Sequence, residues 1–332
     1  MEEKTNTFTQ IKYGGIISYL LIFLNIALGL VYTPWILHEV GSSNYGLYTL
    51  ASSLIAIFLM DFGMSAAVTR FVANFWAQGN QKAIDSFVGL AIKFYVLICT
   101  IVAVVLLIVY LNIDTIYGNL TAEELSIFRV VFVITSFFLV TCFPVNICNG
   151  ILDAYEQFIW LKGSDIINKL GIVIVTIIAL LLHGGIYALV FINGFMNLLT
   201  FIFKILVVGR KTPVKIDFKN NGEIRFRDIF SFSMWSTVNG MSQKLIFNII
   251  PSILAAIADT MAITLYGFAN VIEGYVSTIS SGINGLFMPK VSRTVVNQDD
   301  ASAVLPLMIR VGRINQSIIT ILLIGLTAFG QE

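Results

Sequence analysis

Eight apolar stretches of roughly 17–28 residues run along the chain, and a ninth reaches its last residues; about 20 such residues cross a bilayer as a helix. Lipid offers the backbone no hydrogen-bond partners, so stretches of this length must satisfy themselves as helices. They lie at about 14–37, 47–68, 84–110, 126–148, 166–182, 186–208, 230–256, 262–288 and 307–330. Charged residues make up 12% of the sequence and mean hydropathy is +0.88, whereas a soluble domain carries about 25% charge. The expected fold class is all-α, a polytopic helical membrane protein. Its function is to be sought in the few polar groups set into lipid.

The connections set the direction of threading, because Lys and Arg gather in cytoplasmic loops. Lys4 and Lys12 precede the first stretch, Arg70 and Lys82 follow the second, and Lys162 follows the fourth. Arg210, Lys211, Lys215, Lys219, Arg225 and Arg227 follow the sixth, and Lys290 and Arg293 the eighth. The odd-numbered loops carry no basic residue. A cytoplasmic N-terminus follows. The first stretch is longer than a signal-peptide core and lacks a small-residue cleavage site, so an uncleaved anchor is expected. The net charge of +1 points to no nucleic-acid partner. Cys99, Cys142 and Cys148 lie in the apolar stretches without metal-ligand spacing, and read as small packing residues. Asn119-Leu120-Thr121 is a glycosylation sequon, meaningful only in a eukaryotic secretory pathway.

Two regions resemble each other. Pro34 near the end of the first stretch is followed by Tyr45-Gly46, then by Val68-Thr69-Arg70 and Asn74. Pro251 near the end of the seventh is followed by Tyr266-Gly267, then by Val291-Ser292-Arg293 and Asn297. Gly46 and Arg70 are 24 residues apart, Gly267 and Arg293 26. The repeat unit is therefore six spans, and an even number keeps both copies in one orientation, as in parallel transporter repeats. The expected organisation is an N-terminal six-helix lobe at 1–208, a cytoplasmic linker at 209–229 and a C-terminal lobe at 230–332. Only three of six helices are expected in the second lobe, which reads as truncated after its third.

With Gly41-x-x-x-Tyr45-Gly46-Leu47-Tyr48, Asp61-Phe62-Gly63-Met64, Arg70-Phe71-Val72 and Phe287-Met288-Pro289-Lys290-Val291-Ser292, the chain resembles polysaccharide-unit flippases of the Wzx type. These belong to the multidrug/oligosaccharidyl-lipid/polysaccharide exporter superfamily. The resemblance implies two six-helix lobes around a central cavity. It also implies a cargo built on a polyprenyl diphosphate, moved from the inner to the outer leaflet for O-antigen, capsule or exopolysaccharide synthesis. Membrane lipids and the glycan polymerase machinery are the implied partners.

Ionisable groups inside a membrane are costly and are functional candidates by default. Lys244, between Asn239 and Asn248, and Glu273 lie near the middle of the seventh and eighth stretches. They are candidates for diphosphate binding and ion coupling, or for a structural pair with each other. Lys93, Arg70 and Arg293 join Lys244 as candidate diphosphate contacts, against snorkelling for Lys93 and ordinary anchoring for the arginines. Asp61 joins Glu273 as a coupling candidate, against a hydrogen bond to a neighbouring helix. Lys204, nearer its span end, reads as snorkelling. Asn25, Asn146, Asn193, Asn197 and Asn248 are amides able to line a sugar cavity or to bond between helices. Pro34, Pro144 and Pro251 are places for helices to kink.

No HExxH, P-loop, cysteine cluster or nucleophile motif appears, so no enzyme activity, metal or cofactor is expected. Two other readings compete. A cation-coupled drug exporter of the same superfamily should have an acidic cavity, whereas Lys93 and Lys244 match Asp61 and Glu273 in number. A membrane-embedded glycan polymerase or acyltransferase should carry Arg, His or Asp on a long external loop. The longest outer loop here, around 111–125, has no Arg or His. Flipping of a peptidoglycan precursor is chemically close to the preferred reading.

Overall fold

Caps, prolines and glycines in the connections decide where the expected helices begin and end. The computed structural model describes residues 2–58, 64–218, 238, 241, 242, 244–297 and 305–329, some by backbone path alone. Among these there is no strand. The helices are α1 (Glu2–Val40), α2 (Ser42–Phe58), α3 (Met64–Ala77), α4 (Gln81–Leu111), α5 (Ile113–Ile116) and α6 (Ala122–Cys142). They continue as α7 (Val145–Ala154), α8 (Phe158–Leu181), α9 (Gly185–Lys211), α10 (Ile250–Ile257), α11 (Thr260–Asn297) and α12 (Leu305–Phe329). A helical stretch over 244–248 leads into α10.

Gly41 takes φ +81° between α1 and α2, a conformation that costs a residue with a Cβ but not glycine. The Asn80 side chain accepts the backbone N–H of Ala83 at 3.1 Å and starts α4. At α6, Thr121 and Glu124 form a reciprocal capping box, which satisfies two otherwise orphaned donors. Pro144 lacks the N–H that would continue α6, so the expected fourth span divides into α6 and α7. The expected fifth span begins about two turns early, at Phe158, because Lys162 and Asp165 interrupt its apolar pattern without interrupting its helix. The expected second span falls on α2 and α3.

Among the described residues, five helical segments are long and apolar enough to cross a membrane: Leu20–Val40, Gln81–Leu111, Ala122–Ala154, Phe158–Leu181 and Gly185–Lys211. The chain is a multi-pass membrane protein. It divides into two compact units, Met1–Gly267 and Phe268–Glu332. The second holds most of α11 and all of α12.

In the first unit α8 packs on α1 and α9, α6 on α2 and α9, and α3 on α4 and α7. Between helices in lipid, close approach over small residues replaces the hydrophobic effect as the source of cohesion. At the α3–α7 crossing a Cβ on Gly150 would lie 2.7 Å from the Cβ of Val68 and 2.8 Å from the Ser65 carbonyl oxygen. The freed space lets Thr69 Oγ1 donate to the Gly150 carbonyl at 3.2 Å. Tyr95 and Phe143 meet edge to face at 5.5 Å in the core.

The chain leaving α9 is fastened along α4. The backbone N–H groups of Lys215 and Asp217 donate to the Asp85 carboxylate at 2.8 Å and to its carbonyl at 3.3 Å. Gln81 Nε2 donates to the Pro213 carbonyl at 3.2 Å. The strap lies so close that a Cβ on Gly89 would stand 2.1 Å from the Asp217 carbonyl oxygen.

Candidate functional site

A cavity of about 380 Å³ opens in the first unit among α2, α6, α8 and α9. That volume lies within the range of small-molecule sites. One wall is the face of α9 that carries Asn193, Asn197, Thr200 and Lys204. Their spacing of four, three and four residues keeps all four on one stripe of the helix. Opposite stand Asp165 and Asn168, one turn apart on α8, with Thr135 of α6 and Tyr48 and Ser52 of α2. Apolar side chains such as Phe138, Leu139 and Val190 complete the lining.

Lys204 is the anchor of this polar set. It is only 4% exposed. Its Nζ donates to Asp165 Oδ1 at 2.8 Å and to Asn149 Oδ1 at 2.9 Å. An isolated ammonium so placed would be heavily penalised; a carboxylate and an amide oxygen together make its burial tolerable. Among the described residues, Lys204 and Asp165 are the only charged ones in the lining, so the cavity carries fixed opposite charges and no net charge from them. Asn168 Nδ2 donates to Asn197 Oδ1 at 2.9 Å. Asn168 Oδ1 is buried and has no hydrogen-bond partner among the described residues. An acceptor left open beside a paired cation suits a ligand that offers hydroxyl groups.

A clasp closes the opposite, acidic end of the first unit. The Glu124 carboxylate accepts from Ser43 Oγ at 2.7 Å, Thr260 Oγ1 at 2.7 Å and the Thr121 N–H at 2.9 Å. Thr264 Oγ1 donates to the Ser42 carbonyl at 2.6 Å. The recurring Tyr-Gly pairs meet here. A Cβ on Gly46 would lie 2.6 Å from the Thr260 carbonyl oxygen, and one on Gly267 2.7 Å from Thr49 Cγ2. At each glycine the lack of a Cβ lets α2 and the start of α11 approach closely.

The residues singled out in the sequence are distributed unevenly. Asn193 and Asn197 line the cavity. Asn146 accepts from Asn149 at 3.5 Å, next to the Lys204 cluster. Asn25 is half-buried on α1 and is not part of the lining. Asn248 donates to the Lys244 carbonyl at 3.1 Å, so one of its donors is used within its own helix. Lys244 is half-buried in the first unit; Glu273 is exposed in the second. Arg70 is exposed on α3, and Arg293 lies in α11, described by its backbone alone. Asp61 and Asn239 lie outside the described residues. Lys93 extends its Nζ to the Phe218 carbonyl at 2.8 Å and so holds down the strap.

Snorkelling is overturned for Lys204, because Asp165 and Asn149 offer it partners inside the protein that lipid does not. Asp165, Asn149 and Asn168 were missed by the sequence reading. The signal that points to them is the polar stripe at 193, 197, 200 and 204 together with the one-turn pair at 165 and 168. Arg129 was also passed over, since it falls inside the fourth apolar stretch. It lies at the acidic end and forms an ion pair with Asp114, which accounts for a basic residue in that position.

Helices of this length around a polar cavity make a polytopic helical membrane fold. The chain is similar to a solved structure of the inward-facing conformation of a multidrug resistance MATE family transporter of the MOP superfamily. The TM-score is 0.62 at 11% identity, over 83% of this chain and 67% of that one. A crystal structure of MATE in the bent conformation matches at a TM-score of 0.44 and 14% identity, over 95% of this chain and 72% of that one. No curated protein matches. Residues 11–295 match the family described as polysaccharide biosynthesis protein, and the chain belongs to that family.

Proposed function

We propose that this chain is a flippase that moves a polyprenyl-diphosphate-linked oligosaccharide from the inner to the outer leaflet by alternating access, without covalent chemistry. The observation that carries the reading is the amide- and hydroxyl-lined cavity beside the buried Lys204–Asp165 pair, in a membrane protein of a polysaccharide biosynthesis family. Sugars present many hydroxyl groups, and amides both donate to and accept from them. The basic end of the first unit is the cytoplasmic end, and the lobes run over 1–208 and 230–332 about a linker at 209–229. Lys244, Lys93, Arg70 and Arg293 are the proposed contacts for the diphosphate. Glu273 and Asp61 are the proposed coupling acids. The Glu124 clasp at the acidic end is the seal that parts when the cavity opens outward. A drug exporter for cationic cargo would need a surplus of acid in its cavity; here Lys204 matches Asp165.

Surface glycan is the measurement that tests this, in a strain lacking the gene and supplied with variants whose membrane level is checked. Lys244→Ala is expected to abolish export and Lys244→Arg to retain part of it, since charge is kept while shape changes. Asn193→Ala with Asn197→Ala is expected to lower export with the protein still inserted. Normal surface glycan from all three would overturn the reading.

A further inference from the structure

A second concavity lies apart from the polar cavity. On the outer wall of α8 and α9, Trp160, Phe203, Leu206, Val207, Arg210 and Lys211 line a groove of about 490 Å³. Its floor is solid: Val207 is buried and packs with Leu152 and Leu161. Phe203 and Leu206, one turn apart on α9, leave their side chains exposed as an apolar trough. Trp160 stands across from Phe203, with ring centroids 6.4 Å apart. At the mouth, Arg210 and Lys211 occupy the last turn of α9. Lys211 Nζ lies 5.4 Å from the centre of the Trp160 ring. Among the described residues no acid lines the groove, and Arg210 has no hydrogen bond or ion pair.

An apolar trough facing lipid needs no explanation beyond the lipid itself. Two adjacent cations and an indole at its mouth, with no acid among the described lining residues to neutralise them, do need one. Their level matters. The cations sit in the last turn of α9, where its apolar run ends, and the ends of spanning helices are where amphipathic indoles meet the lipid headgroups. Basic pockets between transmembrane helices bind anionic headgroups. We propose that this groove is a binding site for an anionic phospholipid. One acyl chain lies along Phe203 and Leu206, and the phosphate lies between Arg210 and Lys211, with the indole N–H of Trp160 as a further donor. A zwitterionic lipid carries its own cation beside its phosphate and gains less from the same pair. The inference stands on the groove alone and does not depend on what the protein transports.

Trp160 itself supplies the readout. The protein in which Trp35, Trp76 and Trp235 are replaced by Phe is reconstituted in vesicles of phosphatidylcholine doped with brominated phosphatidylglycerol or brominated phosphatidylcholine. Brominated phosphatidylglycerol is expected to quench Trp160 at a several-fold lower mole fraction. R210Q/K211Q is expected to erase that preference, at roughly fivefold per cation removed. Equal quenching by the two lipids, or a preference that survives R210Q/K211Q, would overturn the proposal. Displacement of brominated phosphatidylglycerol by a trace of polyprenyl phosphate would also overturn it and give the groove to the carrier lipid. If the Phe-substituted protein does not fold, native mass spectrometry of the unsubstituted protein decides. Retained phosphatidylglycerol that is lost in R210Q/K211Q supports the site, and no enrichment over phosphatidylcholine refutes it.

Discussion

Two ion pairs of the first unit share their chemistry and differ in their surroundings. Lys204 and Asp165 pair beside the cavity, with side chains 5% and 34% exposed. Arg129 and Asp114 pair at the acidic end, with side chains 45% and 61% exposed. Exposed pairs contribute little, because each partner is content in water without the other. A buried pair makes its members dependent on each other: removing one strands the other. Charge in the membrane region is therefore a matter of partners, while charge at the rim is a matter of solvent. The Glu124 clasp stands between these limits, a carboxylate held by hydroxyl and N–H donors rather than by a cation.

The comparison is broken most severely by Lys204→Ala, which leaves Asp165 beside the cavity without its cation. We expect a loss of about 3 kcal/mol, at the low end for buried pairs because Asp165 keeps a third of its surface open. A lowered melting temperature in detergent and reduced surface glycan are the readouts. Replacing both partners by Met and Leu should restore most of the stability but not the export. Stability lost equally in the single and the double variant would sink the idea of interdependence. Next comes Glu124→Gln, which keeps the shape and removes the charge from several hydrogen bonds. It should cost about 1–2 kcal/mol and raise cysteine accessibility at position 45. The smallest effect belongs to Arg129→Gln, at roughly 0.2–1 kcal/mol and shrinking further as salt is raised. A double-mutant cycle on each pair sharpens the contrast, since coupling energy isolates the pair from its surroundings.

The fold class was legible because hydrocarbon leaves a long apolar run one structural option. The family was legible because Tyr45-Gly46 and Arg70-Phe71-Val72 stand at recognisable places. The cavity was legible only in part. Asn193 and Asn197 drew attention as amides among apolar neighbours, but Asp165 did not, because Lys162, Gly163 and Ser164 beside it resemble a loop. Lys204 misled for a physical reason. A lysine two turns from a helix end can either climb to the interface or pair inward, and only the position of Asp165 on another helix decides. Helix boundaries shifted for a similar reason. Hydropathy marks where a helix becomes apolar, whereas a capping box such as Thr121–Glu124 marks where it starts.

The strap along α4 adds a dimension of time. Its bonds join Gln81, Asp85 and Lys93 to residues 213–218, at separations of 125 to 132 positions. The strap cannot cover Gly89 until the chain through Asp217 has been synthesised. At about 5–20 residues per second, α4 waits roughly 6–26 s in the membrane with that face uncovered. Docking of the strap is then a late event, possible only once α5 to α9 have been made. A variant that fills the space, Gly89→Leu, should insert its helices normally and stall at this last step. The stalled form would be seen as a full-length protein whose residues 212–218 stay open to protease.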